Sequence, residues 1–188
     1  MRTDKPGPAV PGPSADSFNA ASESSRQINK GGGDSPAAVR LALYQPDIPQ
    51  NAGNMLRTAA GLGVPVDLIG PLGFVLDDKR LKRAGMDYLR HADIVHHVSW
   101  EAFRRGLGVR RLLLLTTRGE TAYTEFRFRP GDVILMGRES EGAPDSVRAA
   151  AQARLRIPLR PGLRSLNVAA AAAMVLGEAL RQLDGFPK

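Results

Sequence analysis

Residues 39–57 read VRLALYQPDIPQNAGNMLR, a strand pattern passed through a proline loop to a helix pattern. Val39–Tyr44 is a short apolar run of strand character. A loop carrying Pro46 and Pro49 follows it, stiff enough to hold whatever comes next in place. The spacing then predicts a helix over Asn51–Leu62. A strand handed directly to a helix is the first half of a βα unit.

The same alternation continues outward from this stretch. Val66–Ile69 and Ile94–Val98 read as strands. Between them, Asp77–Ala84 places its acids before its bases, the order that a helix macrodipole favours. Ser99 is placed to cap a helix through Arg105. Leu112–Thr116 and Val133–Met136 are apolar runs expected as buried strands. Pro144 stands where a helix through Gln152 begins and a missing N–H costs little. Leu155–Ile157 is a last short strand. A helix from Leu166 to Leu183 closes the chain, capped by Ser165 or Asn167. Strands alternating with helices predict an α/β fold: a mostly parallel sheet with helices on both faces.

The chain has 188 residues, the length of one domain. Residues 1–37 are rich in Pro, Gly and Ser and poor in large apolar side chains, so they are expected to form a disordered N-terminal tail ahead of one domain over 38–188. That tail carries four bases (Arg2, Lys5, Arg26, Lys30) and four acids (Asp4, Asp16, Glu23, Asp34), so the formal charge of +7 falls wholly on the folded part. A basic folded domain points to a polyanion, nucleic acid first. The absence of cysteine excludes disulfides, thiolate zinc sites and cysteine nucleophiles. The longest apolar stretch, from Leu166, is too short to span a bilayer, and no signal peptide is legible. The expected location is cytoplasmic, with no membrane partner.

Three clusters lie where strands should end, which is where α/β proteins bind ligands. In the first, Asn51 and Arg57 follow the proline loop; they read either as a capped helix start with one surface arginine or as a site for phosphate or ribose. The second, Gly137-Arg138-Glu139-Ser140-Glu141-Gly142, brackets a polar loop with two glycines. The third runs from Ile157 to Asn167, and Arg160 and Arg164 flank the proline-containing entry to the closing helix, ahead of the Ala169–Ala173 run. No G-x-G-x-x-G follows the first strand and no P-loop occurs, which sets aside ordinary dinucleotide folds and P-loop NTPases. Paired bases at Lys79-Arg80, Lys82-Arg83, Arg104-Arg105 and Arg110-Arg111 trace either an RNA backbone path or a solvated face. His96 and His97 would point to opposite faces of a strand, so no metal site is expected.

In order and at this spacing, the clusters resemble the knotted SPOUT-superfamily RNA methyltransferases. Residues 44–54, residues 71–74 with 77–88, Gly137–Gly142 and Ile157–Asn167 match motifs of the bacterial tRNA (cytidine/uridine-2′-O-)-methyltransferases that act at the wobble nucleotide. The resemblance covers about Leu41 to Leu183. It implies a C-terminal trefoil knot, S-adenosyl-L-methionine as cofactor, tRNA (leucine tRNAs in particular) as substrate, and a homodimer. It further implies cofactor binding by Leu115, Gly137, Ile157 and Ser165, and catalysis by Arg57 with Asn51 and Arg164. RNA contacts would fall on Lys79, Arg80, Arg83 and Arg164. One departure is Gly177, where some relatives carry tyrosine. Arg57 is either an electrostatic stabiliser of the attacking 2′-oxygen or, with a strongly shifted pKa, its general base. Two other readings stay open: the same chemistry on ribosomal RNA, and a non-catalytic RNA-binding protein of this fold.

Overall fold

The computed structural model of the protein describes residues 26–27, 38–74 and 92–188. The expected helix over Asp77–Ala84, the basic residues Lys79, Arg80 and Arg83, and most of the N-terminal tail lie outside the described residues.

The elements are β1 (Arg26–Gln27), β2 (Val39–Tyr44), α1 (Pro49–Gly61), β3 (Val66–Ile69), β4 (Ile94–His97), α2 (Trp100–Leu107), β5 (Leu112–Leu115), β6 (Thr121–Ala122), β7 (Asp132–Met136), α3 (Asp145–Ala150), β8 (Ala153–Arg156) and α4 (Val168–Gln182). They build one sheet in the order β1-β4-β3-β2-β7-β5-β8-β6. Every pairing is parallel except that of β1 with β4. The expected class therefore holds, a mostly parallel α/β sheet. Two residues read as part of an unstructured tail, Arg26 and Gln27, instead pair with His96 and Val95 at the sheet edge. The two-residue strand β6 was not foreseen, because it is too short to carry a period.

Side chains alternate across a strand, and here both faces are covered. Leu41, Leu43, Leu113, Ile134 and Met136 pack towards α1 and α4, with Met55, Leu56, Val175 and Leu176. Ala42, Tyr44, Leu112, Leu114, Val133 and Leu135 pack on the other face with Phe103, Leu107 and Val147 from α2 and α3. This is why the strands read as unbroken apolar runs rather than alternating ones. Helix α1 packs on α4, and the small Ala169 and Ala172 in the core of α4 permit that approach.

Helix starts follow their caps. Ser99 Oγ accepts from Ala102 N, as expected. Of the two candidates for α4, Asn167 is the cap, accepting from Ala169 N and Ala170 N. Helix α1 starts two residues earlier than its sequence pattern indicates, with Ile48 at the N-cap position and Pro49 in the first turn. Asn51 is thus not a cap, and its side chain is available elsewhere.

A buried polar network ties three neighbouring strands together. Asp67 on β3 receives Arg40 Nε from β2 at 2.8 Å and lies 2.8 Å from His97 Nε2 on β4. Burial pushes the Asp67 carboxyl up, but the hydrogen bonds from His97 and Arg40 outweigh it and hold the group below its usual 3.8. The stability that Asp67 contributes is therefore complete above that value and is lost as pH falls through the lower folded pKa. Asp67→Asn should cost about 2 kcal/mol, the range for charge-assisted hydrogen bonds. Urea denaturation followed by circular dichroism checks this; an unchanged midpoint would mean that the network is stabilised elsewhere.

Candidate active site

Because the strands run parallel, β2, β5, β7 and β8 all deliver their C-terminal ends to one edge of the sheet. The loops leaving those ends enclose a cavity of about 900 Å³, within the size range of small-molecule sites. Leu115, Gly137, Ile157 and Ser165 all line it, as do Asn51 and Arg164. Residues read as separate clusters, up to 114 positions apart in sequence numbering, therefore meet in one place. Arg57 does not line the cavity. It is exposed on α1, six residues and roughly 9 Å along the helix axis beyond Asn51.

Two glycines make the loops possible. A Cβ on Gly137 would lie 2.7 Å from Gly142 C and 2.8 Å from Ala143 N, so residues 137–142 double back on their own backbone. Arg138 and Gly142 close that turn with reciprocal backbone bonds of 3.0 and 2.9 Å. A Cβ on Gly119 would lie 2.3 Å from Leu155 C. The loop after β5 thus lies directly on β8.

The first and second clusters are joined by a pair of carboxyls. Asp47 N donates to Glu139 Oε2 at 3.1 Å, Glu139 N donates to Asp47 Oδ1 at 3.2 Å, and Ser140 Oγ donates to Asp47 Oδ2. The hydrogen bond with Glu139 is the main reason that Asp47 is held at about 2, against a smaller opposing effect of burial. Burial, and then the Asp47 carboxylate, push Glu139 above its usual 4.5. Asp47 is the ionised member of the pair, and Glu139 is the one that holds a proton more firmly. The contact fixes the proline loop that precedes α1 against the cavity wall. Asn51 adds a second tie, its Oδ1 accepting from Asn167 Nδ2 at 2.9 Å. Neither Asp47 nor Asn167 stood out as a site residue in the sequence. Each lies inside a quoted motif, but pairings across 92 and 116 positions leave no local signal.

The basic pairs separate by place. Arg110 and Arg111 stand at the opposite edge of the sheet, before β5 begins. Arg111 grips Asp132 with two bonds of 2.8 and 2.7 Å, and Arg110 bonds the carbonyls of Gly106 and Leu107. They are structural contacts there rather than part of a path along the cavity edge. Arg104 lies over the Trp100 ring at 5.8 Å.

The chain matches the SpoU rRNA Methylase family over residues 38–177. It is 58% identical over 150 residues to a tRNA (cytidine(34)-2′-O)-methyltransferase of Beijerinckia indica subsp. indica, which covers 79% of this chain and 94% of that one. A solved structure from work on the 2-OH methylation of C/U34 on tRNA superposes with a TM-score of 0.75 at 49% identity, covering 80% of this chain and 99% of that chain. The SpoU methyltransferase AviRb from Streptomyces viridochromogenes, in complex with AdoMet, superposes with a TM-score of 0.68 at 26% identity, covering 83% of this chain and 61% of the other. A parallel sheet whose strand-end loops meet without a G-x-G-x-x-G, a cavity at their meeting point and a family match across nearly the whole described domain agree: the chain belongs to the SpoU rRNA methylase family.

Proposed function

We propose that the protein is an S-adenosyl-L-methionine-dependent tRNA methyltransferase that modifies the ribose 2′-oxygen of the wobble nucleotide, a cytidine or uridine, with leucine tRNAs as the expected acceptors. The observation that carries this reading is the convergence of Leu115, Gly137, Ile157 and Ser165 on the cavity that Asn51 and Arg164 also line.

The cavity fits the cofactor. Its walls combine apolar side chains (Leu115, Met136, Ile157) with backbone from the 137–142 turn, and it is large enough for a nucleoside with an amino-acid arm. Bound there, S-adenosylmethionine would supply an electrophilic methyl group. Leu115, Gly137, Ile157 and Ser165 would hold it, largely through backbone groups, and this accounts for the missing G-x-G-x-x-G. The Asp47–Glu139 contact keeps the 137–142 turn in register with α1, so the loop that holds the cofactor and the helix that bears Arg57 are positioned together. Such prior alignment supplies much of the rate in a displacement that needs in-line geometry.

The role we assign to Arg57 is electrostatic. A guanidinium stays protonated in proteins and is a poor base. Placed outside the cavity on an exposed face of α1, it meets the RNA rather than the cofactor. There it would grip the phosphate beside the target ribose and stabilise the 2′-oxygen as negative charge develops. Arg164, on the cavity wall, would serve the same nucleotide from the other side. Lys79, Arg80 and Arg83 keep their expected role as RNA contacts. We also place a trefoil knot in the C-terminal half, which the close passage of the Gly119 loop over β8 supports, and a cytoplasmic location.

A homodimer completes the reading. The outer face of α4 and the loop before it expose Leu163, Leu166 and Met174, at 62, 39 and 41%, apolar side chains that an interface would cover. Light scattering should give twice the 20.2 kDa chain mass; a monomer at micromolar concentration would contradict it.

The function is tested by incubating the protein and labelled cofactor separately with unmodified tRNA and with ribosomal RNA. Label in tRNA alone supports the proposal, label in ribosomal RNA alone favours the other RNA substrate, and no label in either leaves RNA binding without catalysis.

A further inference from the structure

Three of the charged groups on the cavity wall are carboxylates, and each is already engaged. Glu141 pairs with Arg138 at 3.1 Å, Asp145 with Arg148 at 3.8 Å, and Glu139 with the Asp47 loop. Of the four arginines that line the cavity, this leaves two whose side chains bond no group among the described residues, Arg164 and Arg118. Arg164 has its role above. Arg118 has none.

Arg118 is an exposed side chain on a loop that cannot drift. Thr116 N donates to Leu155 O at 2.9 Å, and Gly119 N donates to Thr116 O at 3.2 Å. Arg118's own backbone N donates to Thr116 Oγ1 at 3.4 Å. Gly119 sits so close on β8 that no other residue fits there. Two further arginines hold the next residue: Arg154 pairs with the Glu120 carboxylate at 2.8 Å, and Arg156 Nη1 donates to Glu120 O. These contacts fix the backbone on both sides of Arg118 and leave its guanidinium at the cavity's rim. A cation on a fixed loop, with no partner among the described residues, is set up for an anion brought from outside.

We propose that Arg118 is a phosphate-binding residue of the RNA site, gripping a backbone phosphate next to the nucleotide whose ribose enters the cavity. This rests on the reading of the protein as an RNA methyltransferase. Phosphate is favoured over the cofactor because S-adenosylmethionine carries a sulfonium and an ammonium against one carboxylate, so an unpaired guanidinium meets net like charge there. A polyanion offers the opposite sign, and a guanidinium fork matches phosphate oxygens two at a time.

The test compares wild type, Arg118→Ala and Arg118→Lys in binding to unfractionated tRNA over a series of salt concentrations, with cofactor titrations by calorimetry alongside. Losing one phosphate contact should lower the slope of log K against log salt by about 0.7–0.9 in Arg118→Ala. Arg118→Lys should restore the slope. Cofactor affinity should stay within about twofold, the KM for tRNA should rise, and kcat should change little. An unchanged slope in Arg118→Ala overturns the proposal. So does a loss of cofactor affinity with RNA binding intact, which would assign Arg118 to the cofactor instead. If wild type itself shows no salt-dependent tRNA binding, the underlying reading fails, and that outcome is distinct from both.

Discussion

Replacing Arg57 by alanine should lower turnover by about 10²-fold or more, the usual loss when one donor to a developing oxyanion is removed. Cofactor affinity should hardly move, since Arg57 stands on an exposed face of α1 and does not line the cavity. Arg57→Lys should rescue poorly. Lysine keeps the charge but loses the planar fork that engages phosphate and 2′-oxygen together. Single-turnover methylation of tRNA by both variants, with calorimetric cofactor titrations beside it, measures the two effects separately. A near-normal rate in Arg57→Ala would remove it from the mechanism and leave Arg164 as the next candidate. A fall in cofactor affinity of similar size would place Arg57 in the wrong half of the site.

Gly137→Val should abolish cofactor binding, and the structure changes the reason. From the sequence, a side chain at Gly137 is expected to take up space the cofactor needs. In the fold, that space belongs to the chain's own backbone: Gly142 C and Ala143 N lie 2.7 and 2.8 Å from where the Cβ would be. The substitution opens the 137–142 turn, breaks the reciprocal bonds between Arg138 and Gly142, and pulls Glu139 away from Asp47. Calorimetry should show no binding at millimolar ligand. Because backbone atoms at 2.7 and 2.8 Å cannot yield like a side-chain tip, Gly137→Ala should also fail. Normal affinity in Gly137→Ala would mean that the turn adapts and that the close approach is not required.

The framework was legible because its signals are local. Apolar runs at Val66–Ile69 and Val133–Met136, and capping residues at Ser99 and Asn167, act within a few positions, and β3, β7, α2 and α4 formed where those signals lie. The sequence pattern starts α1 at Asn51 because asparagine is a good capping residue by type, whereas the helix starts at Pro49, a first-turn proline, with extended Ile48 at the N-cap. The charged groups were harder. Arg111 reads as surface charge until Asp132, 21 positions on, is folded against it. The Arg40–Asp67–His97 network joins three strands and has no periodic trace. Leu115, Gly137, Ile157 and Ser165 are named by the family resemblance; that their loops meet at one cavity depends on the order β2-β7-β5-β8, a property of the whole sheet.

Methyl transfer to one ribose of tRNA is tested most directly by incubating the protein with S-adenosylmethionine and an unmodified leucine tRNA transcript, then mapping the product by nuclease digestion and mass spectrometry. The expected product carries a single added methyl group on the 2′-oxygen of the wobble nucleotide and resists alkaline cleavage at that position. A methyl group on a base, or on a ribose elsewhere in the tRNA, would contradict it.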